Sequence, residues 1–500
     1  MSDNTAKGNV FLNTYGCQMN VLDSELVKGQ LEALGYRFVD QADNADVVLL
    51  NTCSVREQSE HKVWSALGRL RIQKEKERPD LIVGVLGCMA EREGKGIVDR
   101  MKNVDIVCGP SNLDQVPMLI ENAMLNRGPQ LSLAGHNSRR SKTLQAAEDN
   151  LEALDLSRAF SPADGNNSQA YVRITRGCNK FCSFCVVPFT RGPEVHRSPE
   201  QIVDEVKRLA DSGILEVTLL GQTVNHYGWN EGGKQTSFAD LLWRIHEEVS
   251  HLPRLRFITS YPRDFTDDAL DVMAQAPRIC KYLHIPAQSG SNTMLKKMNR
   301  GYTVEEYLSL LERARKRMPN IRLAGDMIVG FPGETDEDHA LSIELLRQAR
   351  YKSCFIFKYS PRPGTVSIRR LEDDVPEAVK KERNIELLDI QSQISLELHK
   401  GYEGQELEVL VEGESRLRQK VQQPGEVKLG WVKPPEDLVR LVGRTEGDEI
   451  VAFTGPRSLI GSITTVHATG ATNLTIQGEI QGLAPLPMVQ PQEHPPTLNG

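Results

Sequence analysis

Short apolar runs alternate with helix-length polar segments through the first 110 residues, and this alternation constrains the fold more than any other feature of the sequence. The runs are rich in β-branched residues, and segments such as 21–34 and 55–73 are long enough for helices. Strands that alternate with helices form parallel sheets. The pattern therefore predicts a small doubly wound domain, with strands at 9–16, 46–52, 81–87 and 104–109.

A second series of the same kind begins at residue 171 and contains six runs. Six β/α units make a partial barrel the favoured fold, although an open doubly wound sheet fits the same count. A long helix at 376–400 is predicted to close this domain. The six runs lie at 171–175, 217–221, 255–260, 282–287, 321–330 and 354–360.

The remaining sequence divides into segments of different character. Residues 126–168 are polar and rich in Ser, Asn, Asp and Gly, which predicts a linker. Strands of four to six residues between 401 and 480, punctuated by Gly and Pro, are typical of a small β-barrel or β-sandwich. The Pro-rich end predicts a disordered tail. The predicted division is 8–125, 126–168, 169–400, 401–480 and 481–500.

Composition excludes several classes of protein. Hydrophobic residues make up 39% and charged residues 25% of the chain, as in ordinary soluble proteins. The polar start has no signal-peptide core and no run reaches 18 apolar residues, so a cytoplasmic protein without a membrane span is expected. In that compartment the nine cysteines are expected to be reduced. The net charge of −7 does not provide the overall positive charge that attracts a protein to nucleic-acid phosphates without regard to sequence.

Three cysteines in RGCNKFCSFC form a C-x3-C-x2-C motif directly after the first strand of the second series. Cys178, Cys182 and Cys185 thus lie where β/α folds bind ligands. Three thiolates on a four-iron cluster leave one iron open for a small molecule, whereas electron-transfer clusters usually use four cysteines. A zinc site would need a fourth ligand, and His196 is not at a usual zinc spacing. An open-iron [4Fe-4S] cluster is therefore favoured over zinc or a buried trio.

A second set of three cysteines is distant in sequence but equivalent in position. Cys17, Cys53 and Cys88 each directly follow an apolar run of the first series. Because the carboxyl ends of parallel strands share one edge of a sheet, the three sulfurs are expected to meet there. A second open-iron cluster is favoured over three unrelated core residues. The other cysteines are predicted to lie in the core, and they are Cys108, Cys280 and Cys354.

These motifs carry a family resemblance that covers about residues 8–480. RGCNKFCSFCVVPFTRG resembles the cluster loop of radical S-adenosylmethionine enzymes, and YGCQMN, NTCSVRE and GCMAER are similar to the methylthiotransferase family. YGCQMN with NTCSVRE resembles its MiaB-type branch, which modifies N6-dimethylallyladenosine in tRNA. LHIPAQSGSNTMLKKMNRGYT, DMIVGFPGET and FKYSPRPGT strengthen the match.

The resemblance implies a division of labour between two [4Fe-4S] clusters. The cluster on Cys178, Cys182 and Cys185 would bind S-adenosylmethionine through its open iron, and reduction would yield a deoxyadenosyl radical that takes hydrogen from carbon 2 of the adenine. The cluster on the early triad would carry the sulfur, which a second S-adenosylmethionine methylates before transfer. A prenylated anticodon stem-loop at tRNA position 37 is the implied substrate, and flavodoxin or ferredoxin the implied electron donor. The sulfur donor stays open, and a monomer is expected.

Four further positions are implied to bind the cofactor. Phe184 would face its adenine, unless it serves only for packing within the loop. Gly221 and Gln222 match the family's Gly-Gln pair, and glycine lets backbone approach a ligand closely. Gly330 belongs to the turn in DMIVGFPGE, a motif that is weak on its own.

The sequence departs from the family pattern at two places. Thr223 stands where the family usually has Asn, and His196 where it usually has Ser, so a polar substrate contact at the first position is in doubt. Arg191 and Arg197 in the same stretch are candidates for binding carboxylate or phosphate.

The C-terminal strands resemble the TRAM module, a small β-barrel associated with RNA binding. Charge does not support this independently, because residues 401–480 hold 8 Lys and Arg against 12 Asp and Glu. A local basic face is still compatible with RNA recognition. The candidate patch is Arg416, Arg418, Lys420 and Lys428.

Two alternatives to the implied function remain at this point. The same chemistry could act on threonylcarbamoyladenosine in tRNA or on a ribosomal protein, although the residues after Cys17 argue against both. A non-catalytic iron-sulfur sensor or electron carrier is the alternative from another class. A sensor predicts a cluster that is indifferent to S-adenosylmethionine.

Overall fold

The computed structural model describes residues 7–54, 57–126, 128–134, 168–415 and 438–480. Most of the predicted linker 126–168, the tail 481–500 and the candidate basic patch lie outside the described residues. Within the described ranges, no helix combines the length and apolarity needed to cross a membrane.

The N-terminal domain is a six-stranded parallel sheet with the order β2-β1-β3-β4-β5-β6. Its strands are β1 (Asn9–Tyr15), β2 (Arg37–Phe38), β3 (Val47–Thr52), β4 (Ile82–Gly87), β5 (Ile106–Cys108) and β6 (Gln130–Ser132). Its α-helices are Gln18–Ala33, Glu57–Lys76, Cys88–Glu93, Lys95–Arg100 and Val116–Asn126, with 3-10 turns at Ala42–Asn44 and Leu113–Gln115.

Helices cover both faces of this sheet, which confirms the predicted doubly wound fold. Val27 and Val116 come from helices packed on one face, and Val63 and Ile97 come from helices packed on the other. Every residue of β3 and β4 is buried. Because central parallel strands are buried on both faces, they read as continuous apolar runs in the sequence.

The central domain contains six parallel strands in two sheets, with the orders β13-β10-β7 and β14-β15-β16. A parallel bridge between Leu255 and Ile279 extends the first sheet toward the second, so the row is the predicted partial barrel. Its strands are β7 (Gln169–Arg173), β8 (Thr175–Arg176), β9 (Val195–His196), β10 (Glu216–Leu220), β11 (Gly228–Glu231), β12 (Lys234–Ser237), β13 (Arg254–Phe257), β14 (Tyr282–His284), β15 (Arg322–Val329) and β16 (Ser353–Lys358). The pairs β8–β9 and β11–β12 are antiparallel ribbons that the sequence patterns did not predict.

Local sequence signals fix where the barrel helices begin. Thr303 and Thr335 each accept a hydrogen bond from the backbone of the third helical residue, whose carboxylate returns one, so both form capping boxes. The first helix of the N-terminal domain begins at Gln18, three residues before the predicted start. The barrel helices are Val187–Thr190, Pro199–Asp211, Phe238–Glu248, Asp267–Gln275, Asn292–Lys297, Val304–Arg317, Asp336–Ala349, Val366–Arg370 and Glu377–Lys400, with 3-10 turns at Val224–His226 and Pro262–Asp264.

The C-terminal domain is a closed barrel of five strands in the order β17-β18-β19-β21-β20. It contacts the barrel of the central domain at the amino ends of the strands. There Arg254 donates to the carbonyls of Arg444 and Glu408, and Lys352 pairs with Asp448 at 2.9 Å. The strands are β17 (Glu406–Glu414), β18 (Leu438–Arg444), β19 (Ile450–Pro456), β20 (Ile463–Ala471) and β21 (Ile476–Glu479), with a 3-10 turn at Arg457–Leu459.

The N-terminal domain contacts the opposite, carboxyl end of the central barrel. Met19, Leu22 and Leu26 of its first helix form an apolar cluster with Leu220, the last residue of β10. The two predicted cysteine triads therefore lie near one interdomain boundary.

Candidate iron-sulfur and cofactor site

The first cysteine triad lies on the loop between β8 and the helix Val187–Thr190. The backbone N–H groups of Lys180 and Val187 donate to the sulfurs of Cys178 and Cys185, each at 3.4 Å. Hydrogen bonds to sulfur are one means by which proteins tune iron-sulfur clusters. The loop therefore presents sulfur ligands together with donors that stabilise them.

The barrel anchors this loop from one side. Ser183 donates through its backbone N–H to the Met298 carbonyl at 3.0 Å and through its hydroxyl to the Lys297 carbonyl at 2.9 Å. The Asn299 amide donates to the Phe181 carbonyl at 2.9 Å. These bonds hold the cysteines in place before any ligand is bound, which lowers the conformational entropy that binding must offset.

Burial and a nearby arginine act in opposite directions on the thiols. Burial raises the pKa of Cys178 to about 11 and also raises the pKa of Cys185. The buried Arg300 guanidinium donates to the Cys182 sulfur at 3.3 Å, and its charge acts against the rise in the pKa of Cys185. Thiolates are the forms that bind metal, so cluster assembly must release protons, and the charge of Arg300 assists this at Cys185.

The second triad lies at the carboxyl edge of the N-terminal sheet. The last residues of β1, β3 and β4 are side by side in register. Cys53 and Cys88 follow these ends by one residue and Cys17 by two, so three neighbouring strands bring the cysteines together. Cys53 and Cys88 are buried, whereas Cys17 is partly accessible.

Two buried amides fix the loops that carry this triad. The Asn51 side chain donates to the Asn20 carbonyl and to the Ser24 hydroxyl, both at 2.9 Å. The Asn20 side-chain oxygen accepts a hydrogen bond from the Cys17 thiol at 3.3 Å. Both asparagines stand in the motifs YGCQMN and NTCSVRE, but the sequence patterns gave them no role.

Arg191 from the central domain reaches the second triad. Its guanidinium pairs with Asp23 at 2.6 Å, and its side chain is only 4% exposed. Burial raises the pKa of Cys88, and the charge of Arg191 acts against this rise. A hydrogen bond from Cys53 and the charge of Arg191 lower the pKa of Cys17. Arg191 follows Cys185 by six residues, so the segment that carries the first triad continues to the surroundings of the second.

Neither triad has the spacing of ligands to a single ion. Among the described residues one group of His, Cys, Asp or Glu has three ligand atoms all within 4.8 Å of one another, and it contains no cysteine. Sulfurs around one zinc ion would be about 3.8 Å apart, given Zn–S bonds near 2.3 Å. A wider spacing fits a cluster in which each thiolate binds a different iron.

The predicted cofactor residues lie around the first triad's end of the barrel. A Cβ on Gly221 would lie 2.3 Å from Thr175 Cγ2, so only glycine fits there. The Gln222 side-chain oxygen is buried and has no hydrogen-bond partner among the described residues. A bound ligand that donates a hydrogen bond would satisfy this acceptor. Phe184 packs edge-on against Phe331, which follows β15, with centroids 6.4 Å apart.

Gly330 occupies a turn that only glycine can form. Its φ is +68°, and its N–H donates to Glu334, a buried carboxylate whose raised pKa reflects burial. A Cβ there would lie 2.2 Å from Lys380 Cγ, and Lys380 is held in place by Asp373 at 2.6 Å. The turn after β15 is therefore fixed by the φ of Gly330, by its hydrogen bond to Glu334 and by its packing against Lys380.

Gly330→Ala is expected to lower stability by more than the roughly 1–3 kcal/mol of left-handed strain alone, because the new methyl also displaces Lys380. Gly364→Ala is the matched control, since Gly364 has φ of +90° but nothing within 4 Å of an added Cβ. The midpoint of thermal unfolding of the full chain measures both. Equal shifts in the two variants would contradict the clash.

Arg191→Met is expected to expose the interface between the first two domains, because Asp23 is left buried without its partner at a cost of roughly 3–5 kcal/mol. Hydrogen exchange of the helix Gln18–Ala33 should become faster. The double variant Arg191→Met with Asp23→Leu should recover much of the protection, since it removes both charges. Unchanged exchange in the single variant would show that the ion pair does not hold the interface.

The structure corrects the expectation for two arginines and adds a third, Arg300. Arg197 is not free to bind an anion, because it pairs with Glu205 at 2.6 Å, and Arg191 pairs with Asp23. Sequence patterns also missed Arg300, although it lies within the quoted motif MNRGYT. The cysteines outside both triads are buried, as predicted, and they are Cys108, Cys280 and Cys354.

Comparison with known proteins places this geometry in a family. Residues 172–346 match the radical SAM superfamily, and residues 9–109 match the uncharacterized protein family UPF0004. The TsrM radical S-adenosylmethionine methyltransferase from Kitasatospora setae, solved with cobalamin and a [4Fe-4S] cluster, has a TM-score of 0.51 at 16% identity. That match covers 72% of this chain and 74% of TsrM, and it supports the fold alone.

Two relatives match almost the whole chain, and both are named tRNA-2-methylthio-N(6)-dimethylallyladenosine synthase. The protein of Rhodopirellula baltica is 41% identical over 474 residues, which cover 94% of this chain and 95% of the relative. The protein of Carboxydothermus hydrogenoformans is 39% identical over 475 residues, which cover 95% and 99%. Radical SAM enzymes use S-adenosylmethionine and a [4Fe-4S] cluster. The chain belongs to the family of these relatives, the tRNA-2-methylthio-N(6)-dimethylallyladenosine synthases of the radical SAM superfamily.

Proposed function

We propose that this protein transfers a methylthio group to carbon 2 of N6-(dimethylallyl)adenosine at position 37 of tRNA, next to the anticodon. The observation that carries the proposal is the presence of two cysteine triads near one interdomain boundary, where Arg191, six residues after the first triad, pairs with Asp23 and places its charge near Cys17 and Cys88. Relatives about 40% identical along almost the whole chain, named for this product, support the choice of substrate.

The first triad is proposed to hold the [4Fe-4S] cluster that binds S-adenosylmethionine. When bound, this pair supplies the radical that removes hydrogen from the target carbon. Cys178, Cys182 and Cys185 are the proposed ligands, and Arg300 donates a hydrogen bond to the Cys182 sulfur. The proposed cofactor contacts are Phe184, Gly221, Gln222 and Gly330.

The second triad is proposed to hold another [4Fe-4S] cluster, which supplies the sulfur. Cys17, Cys53 and Cys88 lie at the sheet edge, and Cys17 is the partly accessible member of the triad. Arg191 places one positive charge against these thiolates and orients the loop by its bond to Asp23. Its role is to position the triad relative to the central domain.

The inner face of the barrel offers a surface for the target base. Asp326 lies opposite Phe355 in register, and Ile328 lies opposite Phe357, so these side chains share the face that the helices leave uncovered. The two phenyl rings stack with centroids 6.3 Å apart and are 51% and 37% exposed. Aromatic faces bind unstacked bases, and the target adenine must leave its stack to meet a radical.

The position of the C-terminal barrel constrains the path of the RNA. It contacts the amino ends of the central strands, whereas both triads lie at the carboxyl ends. An RNA that contacts both must pass the open side of the barrel, along β16, where the exposed phenyl rings lie. The partner is thus proposed to be a prenylated anticodon stem-loop.

Three further properties are proposed from the family resemblance. The protein is proposed to be cytoplasmic and monomeric, and to accept electrons from flavodoxin or ferredoxin.

The test is an assay of the full chain, reconstituted and reduced without oxygen, with S-adenosylmethionine and two anticodon stem-loops, one prenylated and one threonylcarbamoylated. Mass spectrometry of the nucleosides should show the methylthio product from the prenylated RNA alone. Product from the threonylcarbamoylated RNA alone, or deoxyadenosine without any modified nucleoside, would reject the proposed substrate.

A further inference from the structure

A third group of metal-binding side chains lies beside the cluster loop and outside both cysteine triads. Glu194, His196 and His226 place three ligand atoms within 4.8 Å of one another, and no other such group occurs among the described residues. Glu194 precedes β9, His196 is the last residue of β9, and His226 ends the 3-10 turn after β10. The methylthiotransfer chemistry assigns no role to any of the three.

The contacts within the group match those of a metal site. His226 Nδ1 lies 2.6 Å from Glu194 Oε2, and the Thr223 hydroxyl donates to Glu194 Oε1 at 2.5 Å. Ligating carboxylates are commonly held by such a second hydrogen bond. His196 Nδ1 is buried and has no hydrogen-bond partner among the described residues, so one imidazole nitrogen lacks a proton donor or acceptor.

Burial and charge favour a cation at this position. The Glu194 side chain is 1% exposed and its carboxylate faces the His226 imidazole, so a bound cation would take the place of a proton between the two groups. Lys180 is paired with Asp264. His226 is 43% exposed, which leaves one side of the group open to water.

We propose that Glu194, His196 and His226 form a binding site for a divalent cation of the zinc type, with water as the fourth ligand. Two imidazoles and one carboxylate are a known ligand set for zinc with an open position. Donor atoms around zinc lie about 3.4 Å apart, given bonds of about 2.0–2.1 Å, so the observed separations require only small side-chain movements. The ion would join β9 to the turn that follows Gly221 and Gln222.

Two departures from the family pattern meet in this group. His196 supplies an imidazole where the family usually has Ser, and Thr223 supplies the hydroxyl that holds Glu194. We therefore expect the site in chains that carry both this histidine and this threonine, rather than in every methylthiotransferase.

Zinc binding to the cluster-loaded, oxygen-free full chain tests this site. Isothermal titration should give one zinc per chain, and absorption at the zinc edge should show nitrogen and oxygen ligands at about 2.0–2.1 Å. His196→Ala and His226→Ala should each weaken zinc binding at least about tenfold, since each removes one of three ligands. Because His226 is exposed, its variant is expected to fold even if the His196 variant does not.

His467→Ala is the matched control, because His467 forms an exposed pair with Glu406 at 2.9 Å on the C-terminal barrel. Its zinc affinity should equal that of the unchanged protein. Sulfur ligands near 2.3 Å at the zinc edge, or equal zinc binding by the protein with both His196 and His226 replaced, would overturn the proposal. Either result would leave the methylthiotransfer assignment untouched.

Discussion

Cys178→Ala is expected to abolish the cleavage of S-adenosylmethionine, and with it every product of the enzyme. The remaining two thiolates, Cys182 and Cys185, cannot hold a four-iron cluster that normally has three or four protein ligands. Deoxyadenosine, measured by chromatography and mass spectrometry after anaerobic reduction, should fall to background. The methylthio nucleoside should vanish with it.

The matched control for this variant is Cys280→Ala. Cys280 is equally a cysteine of the central domain and is 2% exposed, but it lies in the core and not on the cluster loop. Its variant should form deoxyadenosine at the normal rate. If Cys178→Ala kept substantial cleavage, the C-x3-C-x2-C loop would not be the site of the cofactor.

Cys53→Ala is expected to abolish transfer of the methylthio group while leaving the cleavage of S-adenosylmethionine intact. Its sulfur belongs to the triad at the edge of the N-terminal sheet, away from the loop that is proposed to bind the cofactor. Deoxyadenosine should therefore still form, whereas the methylthio nucleoside should fall to background because the sulfur source is lost. Both products are read in one assay with the prenylated stem-loop.

Cys108→Ala controls for damage to the N-terminal sheet. Cys108 ends the neighbouring strand β5 and is fully buried, but it belongs to neither triad. Its variant should keep both products. Loss of deoxyadenosine together with the methylthio nucleoside in Cys53→Ala would argue that the two clusters do not act separately.

The convergence of the early triad could be predicted because it follows from backbone topology. Cys17, Cys53 and Cys88 each follow an apolar run, and neighbouring parallel strands place equivalent positions side by side. The strands of the central and C-terminal domains were predictable from periodicity, which reports which strands are buried. Periodicity did not decide between a partial barrel and an open sheet, or between a β-barrel and a β-sandwich, because both forms of each pair use the same strand pattern.

Contacts between side chains of different domains could not be predicted. Arg191 looked like a surface residue available to an anion, yet it is buried against Asp23, 168 positions away in sequence. Arg300 likewise meets Cys182 only through the fold. Such pairs leave no periodic signal, because they depend on how completed domains pack.

The excess of Asp and Glu over Lys and Arg in the C-terminal domain has a structural explanation that could not be seen in the composition. Glu449 is buried against His399, and Asp448 pairs with Lys352 of the central barrel. Arg444 of the same domain binds Glu412 and Asp448. Several acidic residues are therefore used to hold the domains together, so the net charge of this domain overstates how acidic its free surface is.

Iron content tests the central claim of two clusters most directly. The full chain, prepared and reconstituted without oxygen, should hold about eight irons, and a variant with alanine at Cys17, Cys53 and Cys88 should hold about four. The variant should keep the cleavage of S-adenosylmethionine. About four irons in both proteins would contradict the account, because the early triad would then bind no cluster.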